Sequence, residues 1–137
     1  MSERPANPAT TPRVPTWVCA AADLLVVVVF VLIGRRTHHE DAGVVGFLRV
    51  WWPFAVGLAV GWLATGLFRA PFAWRRVVGT WLLTVVVGMV LRIVVEGHDF
   101  KVAFTVVATL FLGAALLGWR AVVRATTRRH RGAASSG

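Results

Sequence analysis

Charge is nearly missing from four long stretches of this 137-residue chain. The stretches run from about Thr16 to Gly34, Phe47 to Phe68, Arg75 to Val95 and Val102 to Arg120, and Asp23 is the one ionisable residue well inside any of them. A content of 57% hydrophobic residues, gathered this way, excludes an ordinary soluble domain, because nothing would cover that surface in water. Cysteine is equally scarce. Cys19 stands alone, so an intrachain disulfide and thiol–disulfide catalysis within one chain are both excluded. No histidine lies inside a long apolar stretch, which argues against a membrane haem held by two histidines. The chain also has no Walker loop, G-x-S-x-G elbow or H-E-x-x-H pair. No cofactor is therefore expected. The formal charge of +9 does not point to nucleic acid, since the basic residues flank the apolar stretches and no soluble domain is left to read a groove.

Each stretch has roughly the 20 apolar residues that a spanning helix needs. The valine runs Val26–Val29 and Val85–Val87 would favour strands in water. In lipid an open sheet leaves backbone groups unpaired, and barrel strands alternate over roughly ten residues, whereas these stretches are continuous and about twice as long. The fold expected is all-α, a polytopic membrane protein built as a four-transmembrane-helix bundle. Residues 1–15, with Pro5, Pro8, Pro12 and Pro15, read as a disordered lead-in. Residues 16–120 form the membrane domain, and residues 121–137 a basic, mostly mobile tail. The first stretch is followed by Gly34-Arg35-Arg36 and not by a small-residue cleavage site, so it reads as a retained helix and not a signal peptide.

With four spans, ten of the fifteen Lys and Arg fall on the side that holds both termini and the second loop. The positive-inside rule then places both termini in the cytoplasm. Trp17, Trp74 and Trp119 fall near the inner interface and Trp51 and Trp52 near the outer one, as an aromatic belt would have them. Arg120, Arg124, Arg128, Arg129 and Arg131 make anionic lipid headgroups the expected partner of the tail. Small residues recur every four positions: Pro53, Gly57 and Gly61; Thr80, Thr84 and Gly88; Thr105, Thr109 and Gly113. Such stripes let helix backbones approach closely, either within the bundle or in a homo-oligomer.

Two groups of residues are candidates for chemistry. Asp23 lies about seven residues inside the first helix, roughly 10 Å from the inner boundary. A charge at that depth needs a partner or a proton. Depth counting offers the neutral donors Trp62, Thr84 and Thr109 and no cation, so Asp23 is expected to face the bundle interior partly protonated, in either a structural or a coupling role. The second group lies on the outer side. Arg35, Arg36, Arg49 and Arg92, with His38 beside them, are candidates for an anion-binding rim, since guanidinium groups recognise phosphate and carboxylate. The alternative is a divalent metal held by His38, His39 and His98 with Glu40 or Asp99, although no ligand spacing demands it. Solvated loop charges account for the same residues without any ligand.

Asp23, the run Gly34-Arg35-Arg36-Thr37-His38, Trp52-Pro53-Phe54, Gly61-Trp62 and Gly88-Met89-Val90-Leu91-Arg92 occur in an order that resembles the bacterial membrane proteins catalogued as domain of unknown function 3054. The resemblance covers roughly residues 16–120, with Thr37 at a position where serine is the more usual hydroxyl. It implies a four-span fold in a bacterial cell membrane and supplies no activity. A non-catalytic accessory or structural membrane protein is the function expected. The alternatives are a small oligomeric transporter or channel using Asp23, and a membrane-embedded enzyme acting on an anionic or lipid substrate at the outer face.

The orientation is open to a direct check. With Cys19→Ser as background and single cysteines at Ser2, Gly43 or Ser136, an impermeant thiol reagent applied to intact cells should label only the middle position. Labelling of the two end positions alone would invert the topology.

Overall fold

A computed structural model describes residues 13–38, 43–97 and 99–135, with the backbone alone of Thr37, His38 and Ser135. Four helices follow one another: α1 (Thr16–His38), α2 (Val44–Thr65), α3 (Trp74–Val94) and α4 (Val102–Ser135), with a 3-10 turn at Leu67–Arg69. All four are long and apolar enough to cross a membrane, and the described residues include no strand. Residues 1–12 of the expected lead-in lie outside the described residues, and Arg13 to Pro15 precede α1 without regular structure.

The bundle turns large apolar side chains outward. Leu25, Leu32, Leu63, Val86 and Leu110 are exposed along the helices, an arrangement that only hydrocarbon solvates without cost. Its interior follows from helical period. On α2 the buried positions are Val50, Pro53, Phe54, Gly57, Leu58 and Gly61; on α3 they are Val77, Thr80, Thr84, Val85, Gly88, Met89 and Arg92. Each set recurs every three or four residues and so falls on one face.

These two faces make the tightest seam in the molecule. A Cβ added at Gly57 would lie 2.7 Å from the Thr84 carbonyl oxygen, and one at Gly61 would lie 2.9 Å from that of Thr80. Gly88 in turn accepts the ring of Phe54. The missing side chains thus set the distance between α2 and α3, and hydroxyls stitch the seam: Thr65 and Thr80 lie 2.9 Å apart, and Thr80 donates to the Gly61 carbonyl. Trp81 joins α3 to α4 by donating to the Thr109 carbonyl at 3.0 Å, with its ring against Gly113.

Helix ends follow local chemistry. The α2 helix stops at Gly66, whose φ of 64° is the left-handed geometry that suits glycine, and Arg76 donates to its carbonyl at 2.6 Å. Because α2 starts at Val44, three residues earlier than the sequence suggested, Pro53 sits in its third turn. The α4 helix differs most from expectation. It does not end near Arg120 but continues to Ser135, since no proline or other strong breaker follows Arg120. Its 34 residues span about 51 Å, well beyond a hydrocarbon core of about 30 Å, so its basic last third projects from the bundle.

The seam makes Gly57→Ala costly. The variant should lose about 1–3 kcal/mol of stability, because the α3 backbone must move aside. Gly118 is also helical, but a Cβ added there would meet nothing within 4 Å, so Gly118→Ala is the control and should lose nothing. Reversible unfolding in mixed micelles, followed by helical circular dichroism, separates the two; equal losses would remove the close-approach argument.

Candidate functional site

Asp23 is fully buried on the inner face of α1. Its partner is Arg120 of α4, itself only 1% exposed. The guanidinium meets the carboxylate in a fork, Nη1 to Oδ1 at 2.6 Å and Nη2 to Oδ2 at 2.7 Å. Two indoles complete the site. Trp62 of α2 donates to Oδ2 and Trp119 of α4 donates to Oδ1, both at 2.9 Å. Each carboxylate oxygen thus accepts two hydrogen bonds, and all four donors are N–H groups, which suits an ionised carboxylate and leaves a carboxyl proton nothing to bond.

Arg120 is held as firmly as its partner. Nε donates to the Pro71 carbonyl at 2.8 Å, and Nη1 also donates to the Leu116 carbonyl one turn back. The guanidinium carbon lies 4.5 Å from the Trp119 ring centroid, and Trp119 packs edge-on against the buried Phe72. One side-chain cluster therefore ties α1, α2, the α2–α3 connection and α4 together.

Here the expectation that Asp23 finds neutral donors and no cation is corrected. Trp62 is a partner, but the Thr84 and Thr109 hydroxyls bond to the Thr80 and Thr105 carbonyls of their own helices. Reading Arg120 as an interface residue missed the cation. Two geometric facts bring it in. Asp23 lies about 22 Å from the end of α1 at His38, and Arg120 lies about 27 Å from the start of α4 at Val102, so a long side chain spans the difference. Helical side chains also lean toward their own N-terminus. In antiparallel α1 and α4, Asp23 therefore leans toward the end holding Thr16, and Arg120 leans up into the bundle toward it. Trp119, read as a belt residue, turns inward for the same reason, while Trp17 and Trp74 remain exposed.

At the opposite, far end, the candidate anion-binding residues divide. Arg92 is buried rather than directed to the interface, with its guanidinium carbon 4.5 Å from the Phe104 ring centroid. Arg35 donates to the Gly43 carbonyl, and together with Arg92 it lines a small cavity bounded by Phe30, Gly34 and Phe104. Arg36 and Arg49 are exposed and line neither cavity at this end. The side chain of His38 is outside the described residues, as are His39, Glu40, Asp41 and His98. Among the described residues, no three of His, Cys, Asp and Glu gather as metal ligands. A larger cavity of about 590 Å³ adjoins the small one between α1, α3 and α4. Glu96 is occupied separately, accepting from the Trp52 indole at 2.7 Å.

The packing stripe is spent inside the chain: Gly57 and Gly61 lie against Thr84 and Thr80, and Gly88 lies against Phe54. Comparison with known proteins adds a family. A family model described as "Protein of unknown function (DUF3054)" matches residues 20–123, from just before Asp23 to just after Arg120, and the chain belongs to that family. No match is found among curated proteins or among solved structures.

The ion pair has a characteristic mutational signature. Asp23→Leu or Arg120→Met alone should cost about 3–5 kcal/mol, because each strands its partner's charge. The double variant Asp23→Leu/Arg120→Met should recover most of that loss. Unfolding titrations of all four proteins give the coupling directly; additive losses would mean that the two residues do not act as a pair.

Proposed function

We propose that this member of the DUF3054 family is a non-catalytic, multi-pass protein of the bacterial plasma membrane, an accessory or structural unit with both termini in the cytoplasm. The observation that carries this reading is the saturation of Asp23. A carboxylate that moves protons or cations across a membrane exchanges partners and meets water during its cycle. Asp23 has no exposed surface, and its oxygens already accept from Arg120, Trp62 and Trp119. Releasing it would separate two opposite charges at a depth where one alone costs about 2.5–3.5 kcal/mol. The group is thereby suited to holding α1 against α4 and not to carrying cargo.

The orientation rests on the excess of Lys and Arg on the side of the termini. In that orientation the projecting third of α4 presents Arg124, Arg128, Arg129 and Arg131 to the cytoplasmic leaflet, where anionic headgroups attract each by about 1 kcal/mol.

A coupling role requires Asp23 to leave its ion pair and take up a proton during a cycle, and a structural role does not. With Asp23 structural, infrared spectra of the purified protein near neutral pH should contain no protonated-carboxyl band that disappears in Asp23→Asn. Such a band would overturn the ion pair, and a proton flux into proteoliposomes abolished by the same substitution would assign Asp23 to transport.

A further inference from the structure

We infer that the far-end cavity between α1, α3 and α4 is a binding site for an anionic amphiphile, with an apolar chain lying among the helices and a phosphate or carboxylate head at Arg92 and Lys101. Its volume of about 590 Å³ falls in the range of sites that enclose small molecules, roughly 300–1,000 Å³. Most of its wall is apolar, with Phe30, Met89, Ile93 and Phe111 among the lining residues.

Two of the lining residues show how the cavity communicates with its surroundings. Ile33 of α1 and Val107 of α4 border it, and 48% and 57% of their surface is exposed. In a membrane-spanning segment that surface meets lipid, so the cavity opens sideways into the hydrocarbon. Asp99 and Lys101, in the α3–α4 connection, border the same cavity and are exposed at its other extreme. The space thus runs from a lipid-facing slot to the polar end of the bundle. A molecule filling it needs an apolar body and a polar head in that order.

The sign of the head follows from the lining charges. Arg92 and Lys101 outnumber Asp99, and Arg35 lies on the adjoining small cavity, which shares Phe30, Gly34, Arg92 and Phe104 with the large one. Arg92 is the informative residue. A side chain one turn from a helix end ordinarily snorkels to water, but this one is 8% exposed and lies on the Phe104 ring. A guanidinium fixed at the wall of an apolar cavity favours an anionic head there over a neutral or cationic one. A free inorganic anion presents the same chemistry but leaves the apolar length and the lateral slot unused.

The experiment uses the full chain in neutral detergent and follows thermal unfolding during titration with phosphatidylglycerol, with phosphatidylcholine of the same acyl chains, or with inorganic phosphate. Phosphatidylglycerol alone should raise the unfolding midpoint, and native mass spectrometry should retain it on the protein. Arg92→Gln should weaken that binding about tenfold or more, by removing a charge-assisted contact. Val107→Trp, which fills the slot without touching the charges, should abolish it; this variant and Lys101→Gln decide the matter if Arg92→Gln does not fold. A variant with Arg124, Arg128, Arg129 and Arg131 all changed to Gln should keep the full shift, because those residues lie on the far extension of α4. Equal shifts with both lipids, a shift with phosphate alone, or a shift undiminished in Val107→Trp would each overturn the assignment.

Discussion

A carboxylate in hydrocarbon has few acceptable surroundings, and the bundle is arranged around supplying them to Asp23. Water is excluded there, so every lone pair must find a donor and the charge must find an opposite one. Arg120 meets both demands through its fork, and the two indoles take the remaining positions. The choice of arginine matters. Four of its five fixed N–H donors reach Asp23, Pro71 and Leu116 at once, which a lysine ammonium has no geometry to do. A cluster of this kind adds less net stability than its contacts suggest, because desolvating two charges offsets much of their attraction. What it specifies is arrangement: α1 and α4 can adjoin in only one register without stranding a charge.

The other seam works by opposite means. Where Gly57 and Gly61 face Thr84 and Thr80 nothing is charged, and α2 and α3 meet there through missing side chains. In lipid, where apolar surface gains little by leaving its solvent, such close backbone packing is a main source of helix association. The far half is different again. Its core is a set of phenylalanines, with Phe30 5.3 Å from Phe54 and 5.6 Å from Phe111, ring centroid to centroid. The larger cavity lies beside these rings, with Phe30, Phe104 and Phe111 among its lining residues. Polar contacts therefore hold one end of the bundle together, and aromatic contacts fill the core at the other.

The spans were legible because uncharged length is a direct signature of a bilayer, and it placed α1 and α3 within a few residues at each end. The end of α4 was not. Arginine after an apolar run marks the edge of the membrane, but nothing in that signal stops a helix, and only proline or glycine geometry would have done so. Asp23 was recognisable as a buried group from its depth alone. Its cation was not, because hydropathy treats every arginine at an edge as a snorkelling one. The direction in which helical side chains lean was the available clue. At the far end, phase was the missing information: Arg35 and Arg36 are neighbours in sequence but about 100° apart around the helix, so one lines a cavity and the other does not. Composition cannot supply that angle.

Asp23 and Arg120 are separated by 97 positions. Synthesis proceeds from the N-terminus, so α1 enters the bilayer carrying its aspartate long before the matching arginine exists. Throughout that interval the nascent protein holds an acid in hydrocarbon with only indoles or lipid-borne water to solvate it, and the last helix ends the mismatch when it arrives. A chain cut short anywhere before Arg120 never reaches that point. Insertion of α4 and neutralisation of the first helix are thereby the same event, and a copy without α4 differs from one that has it by an unpaired charge that the membrane itself disfavours.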